Sequence, residues 1–345
     1  MRVLTVCATL LAGTCGALAE APRVVTDIAP VQGLVDQVMA GVGSADVLLP
    51  PGASPHSYAM RPSEARALSS ADLVIWVGPA LTPWLADPIE TLAGDAQRLT
   101  LTGAEGVQLL TFRSGGSFEP HDHDTHTEHD AHEDHDGDHA HEDHAGHAEE
   151  DHDHGTPEHA GADEAHDDHD HAGDTDPHIW LDPQNAQAIL TSVAGALAEL
   201  DPANAALYRE NARAGREEIA QTAARIAGQM ASLQDIPFIV FHDAFQYFEA
   251  RFGLSARAAV SLAHGEGASA GHVSHVRRVV RETGAVCVMA EPPVQQGLID
   301  AVTGSGDQRV EAISPLAGEN PADKIAYGAF LMQIAEAFRR CLAPA

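Results

Sequence analysis

Several things are scarce in this 345-residue chain, and each absence closes off a class of function. Lys and Arg together number 19 against 51 acidic residues, and no Lys/Arg-rich run gathers them. The electrostatic footprint of a nucleic-acid binder is therefore missing. Long apolar runs are missing too: no stretch reaches the ~18 apolar residues that a membrane-spanning helix needs. The motif HExxH is absent, and with it the familiar helix-borne zinc-hydrolase arrangement. Cysteines number four, with no CxxC pair to support a thiolate zinc site.

Residues 1–19 read as a cleaved secretory signal. Arg2 gives the positive start, Val3–Leu11 the short apolar region, and Ala17-Leu18-Ala19 a small-residue cleavage site before Glu20. Cys15 as a lipid anchor is the alternative, although Ala12-Gly13-Thr14 before it lacks the usual leucine. The mature chain is thus expected to be exported and soluble. Export leaves Cys287 and Cys341 in an oxidising compartment, where an isolated pair normally bonds. The bond would close a loop of roughly 55 residues and contribute about 4 kcal/mol in the chain-entropy model. A zinc site built from these two thiols is the rival reading.

What is abundant is concentrated. The 58 residues Glu119–Asp176 hold 16 of the 22 histidines and 23 of the 51 acidic residues, without one Lys or Arg. Leu, Ile, Val, Met, Trp, Phe and Tyr are all absent from it. Such a segment cannot bury apolar surface to offset its ordering entropy, and disorder is expected. Its imidazoles are mostly unprotonated at neutral pH and suit borderline metals. His121, His123, His126, His129, His132, His135, His139, His141, His144 and His147 are candidates for weak metal binding. A solvated insertion without a role is the plainer alternative. Without this segment the chain carries 28 acidic against 19 basic residues, so most of the net charge of −32 belongs to the segment.

The rest alternates strands with helices. Strands are expected at Arg23–Thr26, Asp46–Leu49, Ala71–Gly78, Val107–Phe112, Pro237–His242, Ala258–Leu262, Val286–Ala290 and Arg309–Ile313. Helices are expected around Val31–Met39, at Pro62–Ser69 and from Pro183. Others fall at Ala244–Phe252, Val273–Thr283, Val294–Thr303 and Asp323–Cys341. This alternation predicts a parallel α/β sheet. Asp201-Pro202 reads as an N-cap and first-turn proline opening a helix to about Leu233. Its apolar stripe (Leu207, Ala214, Ile219, Ile226, Met230) is patchy, as in a backbone laid along two lobes rather than a core element.

Three histidines outside the acidic stretch share one setting. His56, His178 and His242 each follow an apolar strand or lie in the loop beside one, where open α/β sheets bind ligands. Any one alone is as readily a satisfied structural histidine; three in equivalent places point to a metal. His272 and His275 are expected at the surface. His264 is a weaker candidate ligand, and Asp243 and Asp182 are expected to orient ligand histidines.

These residues fall within longer motifs. They are Pro51-Gly52-Ala53-Ser54-Pro55-His56-Ser57-Tyr58 with Arg61-Pro62-Ser63, and Ala71-Asp72-Leu73-Val74-Ile75-Trp76-Val77-Gly78. Asp176-Pro177-His178-Ile179-Trp180-Leu181-Asp182-Pro183, Phe241-His242-Asp243-Ala244-Phe245 and Ala290-Glu291-Pro292 complete the set. In this order they resemble the zinc-specific periplasmic binding proteins of ABC importers. The His-rich insertion and the pairing of Cys287 with Cys341 are similar to those of the zinc members. The resemblance implies two α/β lobes, each a mostly parallel sheet flanked by helices, joined by one long rigid helix. In this chain those are residues 20–200 with the disordered stretch 119–176, a linker helix at 201–234, and residues 235–345. It implies one Zn2+ held by His56, His178 and His242 in the interlobe cleft. The family's fourth position is an aspartate, and Ser314 occupies it here, so water, His264 or Glu291 would complete the sphere. The implied partner is the inner-membrane permease of the importer, with the protein itself a monomer and no enzyme.

Two other functions fit the same residues. Three histidines plus water also make a catalytic zinc site. A periplasmic zinc store or chaperone would make the His-rich stretch itself the function.

Overall fold

The computed structural model describes residues 21–113, 118, 175–261, 269–304, 306, 308–317 and 325–343. The expected signal sequence, the ten histidines from His121 to His147, and His264 lie outside the described residues. By contact the chain divides into a body and the segment Pro120–Asp170, and every described residue belongs to the body. No helix among the described residues is long and apolar enough to cross a membrane.

Val24–Thr26, fully buried and largely β-branched, forms the first strand, β1. Helix α1 (Ala29–Val38) follows, with Pro30 in its first turn and Val31, Leu34, Val35 and Val38 on its buried face. Strand β2 (Asp46–Val47), helix α2 (Pro62–Ser69), strand β3 (Leu73–Trp76), helix α3 (Ala86–Leu92) and strand β4 (Gln97–Thr100) complete the first sheet. All its pairings are parallel, in the order β2-β1-β3-β4. Every residue of β3 is buried, as a parallel strand covered on both faces requires.

The expected strand at Val107–Phe112 is not one, apart from a single antiparallel bridge between Thr111 and Thr175. Its main chain is held by side chains instead. Asn185 exchanges hydrogen bonds with both backbone groups of Gln108, at 2.7 and 2.9 Å, and the Leu110 amide donates to the Tyr247 hydroxyl. The fourth strand is the polar Gln97–Thr100, which escapes an apolar-run criterion because it lies at the sheet edge, half exposed.

After a 3₁₀ turn at Ile179–Leu181 come α4 (Pro183–Leu200) and the long α5 (Ala205–Met230). Asp201 does not cap α5. It ends α4, and its carboxylate accepts from the Asn204 side-chain Nδ2 at 2.7 Å and the Tyr208 hydroxyl at 2.8 Å, fixing the turn between the helices. Nor is the buried stripe of α5 patchy: Tyr208, Ala212, Gly215, Ile219, Thr222, Ile226 and Met230 recur every three or four residues. A Cβ on Gly215 would lie 2.8 Å from Gln37 and 2.9 Å from Leu190, so the glycine lets α5 press against α1 and α4. With 26 residues, about 39 Å at 1.5 Å per residue, α5 also reaches the last helix, α9 (Tyr327–Leu342).

The second sheet is parallel, in the order β5-β6-β7, from Ile239–Val240, Cys287–Ala290 and Arg309–Ala312. Helices α6 (Gln246–Phe252), α7 (Ala270–Thr283), α8 (Gln296–Thr303) and α9 surround it. The expected strand at Ala258–Leu262 is reduced to one parallel bridge, Val240 to Ala259, on the free side of β5. Cys287 in β6 and Cys341 in α9 form a disulfide with Cα atoms 5.6 Å apart, both fully buried. One apolar cluster runs from Val24 to Leu342 and takes in side chains beside both sheets, with the Phe238, Phe245, Phe248 and Phe338 rings in its second half.

Candidate metal centre

Each of the three histidines is placed by different local chemistry. His56 sits in the Pro- and Gly-rich loop between β2 and α2. The Trp84 indole donates to the Pro55 carbonyl at 2.7 Å, and the Tyr58 ring meets that indole edge-on. The Tyr58 hydroxyl donates to Glu64, whose carboxylate also accepts from the Arg61 amide at 2.6 Å, closing the start of α2. The loop carrying His56 is thereby fastened at both ends.

His178 is 2% exposed and follows Asp176-Pro177. One oxygen of Asp176 accepts from the His178 amide at 2.9 Å and contacts its Nδ1 at 2.7 Å. The Trp180 ring lies 5.3 Å from the imidazole, and its Nε1 donates to the Pro315 carbonyl at 2.8 Å. His242 follows β5, and its Nδ1 lies 3.0 Å from a Glu291 oxygen. Glu291 directly follows β6, so the two come from the carboxyl ends of neighbouring parallel strands, where open α/β sheets gather ligands.

The three rings meet. Their centroids are 5.1 to 5.8 Å apart, and one nitrogen from each lies within 4.8 Å of the others. A Zn–N bond of about 2.0–2.1 Å puts tetrahedral ligand atoms roughly 3.4 Å apart, so from spacings of at most 4.8 Å the rings would close by no more than about 1.4 Å around an ion. The electrostatics of His178 and His242 differ. Burial, and then the neighbouring His242, pushes the His178 pKa down to about 3, and burial pushes the Asp176 carboxyl up to about 7. Burial alone would lower His242, but the hydrogen bond and charge of Glu291 outweigh it and hold that pKa above its usual value. With Nδ1 turned to a carboxylate in both His178 and His242, Nε2 is the nitrogen left for a metal.

Residues 24–341 match the family model described as the periplasmic component A of the zinc-uptake complex. The chain belongs to this family. It is 42% identical to the high-affinity zinc uptake system protein ZnuA of Paracoccus denitrificans over 328 residues, covering 94% of this chain and 93% of that one. The protein of the same name from Brucella abortus is 36% identical over 344 residues, covering 99% and 98%. A crystal structure of ZnuA superposes with a TM-score of 0.70 at 20% identity, covering 94% of this chain and all of that one. The shared fold is the two-lobed, parallel-sheet α/β architecture of these zinc-uptake components.

Within this family frame some expectations change. Asp182 and Asp243 are not the carboxylates that contact the His178 and His242 rings. Asp182 caps α4 and pairs with Arg251, and Asp243 pairs with Arg113. The orienting carboxylates are Asp176 and Glu291. Asp176 had a legible signal, a carboxylate two residues before a buried-motif histidine with a rigid proline between. It lies at the end of a stretch read as disordered, yet its side chain is fully buried. Ser314 lines the same cavity of about 770 Å3 as the three histidines and Glu291, and its Oγ accepts from the Leu316 amide at 3.1 Å. His272 and His275 are half-buried rather than at the open surface. His272 Nε2 lies 3.0 Å from the Ala259 carbonyl, and Arg278 donates to His275 Nδ1 at 2.8 Å.

Proposed function

We propose that the protein captures Zn2+ in the periplasm with His56, His178 and His242 and passes it to the inner-membrane permease of an ABC importer. The observation that carries this is the convergence of three imidazole nitrogens within 4.8 Å in a chain of the zinc-uptake family. Three neutral imidazoles suit zinc, whereas manganese favours carboxylate oxygen. A water or other weak oxygen ligand completes the sphere beside Ser314, because a neutral hydroxyl is a poor zinc ligand. The protein acts as a monomeric binding component and not as an enzyme. Residues 1–19 are removed on export, and residues 201–234 link the lobes 20–200 and 235–345.

The His-rich stretch gathers further zinc weakly. Zinc titration by calorimetry, with elemental analysis under zinc–manganese competition, tests both parts on the full chain and on a deletion of 119–174. Stopping the deletion there keeps Thr175 and Asp176, on which His178 depends. One tight zinc that survives the deletion, with weaker equivalents lost, is the expected result. Preferential retention of manganese, or tight capacity that vanishes with the stretch as in a storage protein, would overturn it.

A further inference from the structure

Arg113 sits on a strap tied to the His178 side, and it hydrogen-bonds the residue that follows His242. Its Nε donates to Asp243 at 2.9 Å and its Nη2 to the second Asp243 oxygen, while Nη1 and Nη2 reach Glu249 at 2.8 and 3.2 Å. The Phe118 ring covers the guanidinium at 4.0 Å from its centroid. Both carboxylates are buried, with side-chain exposures of 7% and 2%, so this is a desolvated fork and not a solvated surface pair. Those carboxylates hold the charge of Arg113 firmly in place, raising its pKa despite burial.

Asp243 is the residue after His242, and the Ala244 amide donates to the His242 carbonyl in the same tight turn at 2.8 Å. Gripping Asp243 therefore grips the main chain that carries His242. The strap bearing Arg113 is tied at its other end to the His178 side. The Asp176 amide donates to the Leu110 carbonyl at 2.9 Å, Thr111 bridges Thr175, and the Tyr247 hydroxyl donates to the Asp176 carbonyl at 2.8 Å. One strap thus holds both the carboxylate that orients His178 and the turn that carries His242.

From this we infer that Arg113 is a positioning residue for metal capture, setting the distance between His242 and His178 through Asp243. The inference rests on the proposed zinc site. A lysine keeps the charge but not the planar fork that engages two carboxylates at once. Charge and geometry can therefore be separated.

The test compares Arg113→Met, Arg113→Lys and His242→Ala in the full chain. It uses zinc affinity by chelator competition, the visible absorption of the cobalt(II)-loaded protein, and thermal melting without metal. Both Arg113 variants should weaken zinc, Arg113→Met by about 10- to 100-fold, the usual cost of losing a residue that supports a ligand, and Arg113→Lys by less. Both should also shift the cobalt bands, which report ligand geometry and not fold stability. Wild-type affinity with an unchanged cobalt spectrum in Arg113→Met overturns the inference, and so does full rescue by Arg113→Lys, which would leave charge alone as the cause. If Arg113→Met does not fold, Phe118→Leu and Asp243→Asn loosen the same fork more gently and are read in the same way. Should His242→Ala keep tight zinc, the zinc site itself is wrong; if it loses zinc while the Arg113 variants do not, only the positioning role fails.

Discussion

His178 and His242 face each other across the same cavity but are built differently. The carboxylate that orients His178 sits two residues earlier in the chain, the ring is 2% exposed, and a 3₁₀ turn follows at once. The carboxylate that orients His242 comes from another strand, 49 residues on, and its side chain and that of His242 are each about one-fifth exposed. One ligand is set by its own segment. The other waits for two strands to pair. The first orienting carboxylate is supplied locally along the chain, and the second by tertiary pairing.

The comparison breaks most severely if either ring is removed. His56→Ala, His178→Ala and His242→Ala should each lower zinc affinity by about a hundredfold or more. The ~10–16 kcal/mol typical of structural zinc, shared over three or four ligands, leaves several kcal/mol to each. Chelator competition measures this, and a variant that retained tight zinc would remove that histidine from the sphere. Next in size are the orienting carboxylates. Asp176→Ala should cost zinc affinity more than Glu291→Ala, both within about 10- to 100-fold, because Asp176 is buried and also holds the His178 amide. Equal losses would mean that local and tertiary placement are equivalent here.

Acid sharpens the contrast. A ring must be neutral to bind zinc, so affinity is lost as pH falls through the pKa of the ring that protonates first. Between His178 and His242 that ring is His242, raised by the hydrogen bond and charge of Glu291, and not His178, held down near 3 by burial. Glu291→Gln removes the charge that raises His242, so zinc release on acidification should begin at a lower pH than in the wild type. Release at the same or higher pH would contradict this order. The smallest effect expected is that of Ser314→Ala, nearly silent in affinity, since the hydroxyl already accepts from the Leu316 amide. A large loss there would make the oxygen a ligand.

The three histidines and the alternating body could be read from the sequence because each rests on a short-range signal. A short strand candidate, Asp46–Leu49, ends in a Pro/Gly loop before His56, an apolar strand ends near His242, and Asp182-Pro183 opens a helix. What was misread depends on partners far along the chain. Val107–Phe112 has the composition of a strand, but Asn185 and Tyr247 satisfy its main chain, and nothing in the run itself announces them. Asp243 beside His242 looked like the natural support, yet Arg113, 130 residues earlier, claims it. The stripe on α5 looked patchy because it was drawn through Leu207 and Ala214, both exposed, while Tyr208, Ala212, Gly215 and Thr222 hold the buried face.

The disulfide carries a consequence for the order in which the molecule is made. Cys287 opens β6, the strand that ends directly before Glu291, and its partner Cys341 lies in the last turn of α9, close to the end of the chain. Synthesis delivers His56 and His178 before His242, and the strand that presents the third ring's carboxylate gains its covalent tie to α9 only when that helix has emerged and the two thiols have been oxidised. A newly made, still reduced chain therefore has all three imidazoles but lacks the covalent tie on the strand that ends at Glu291. The tie forms only where an oxidant is supplied.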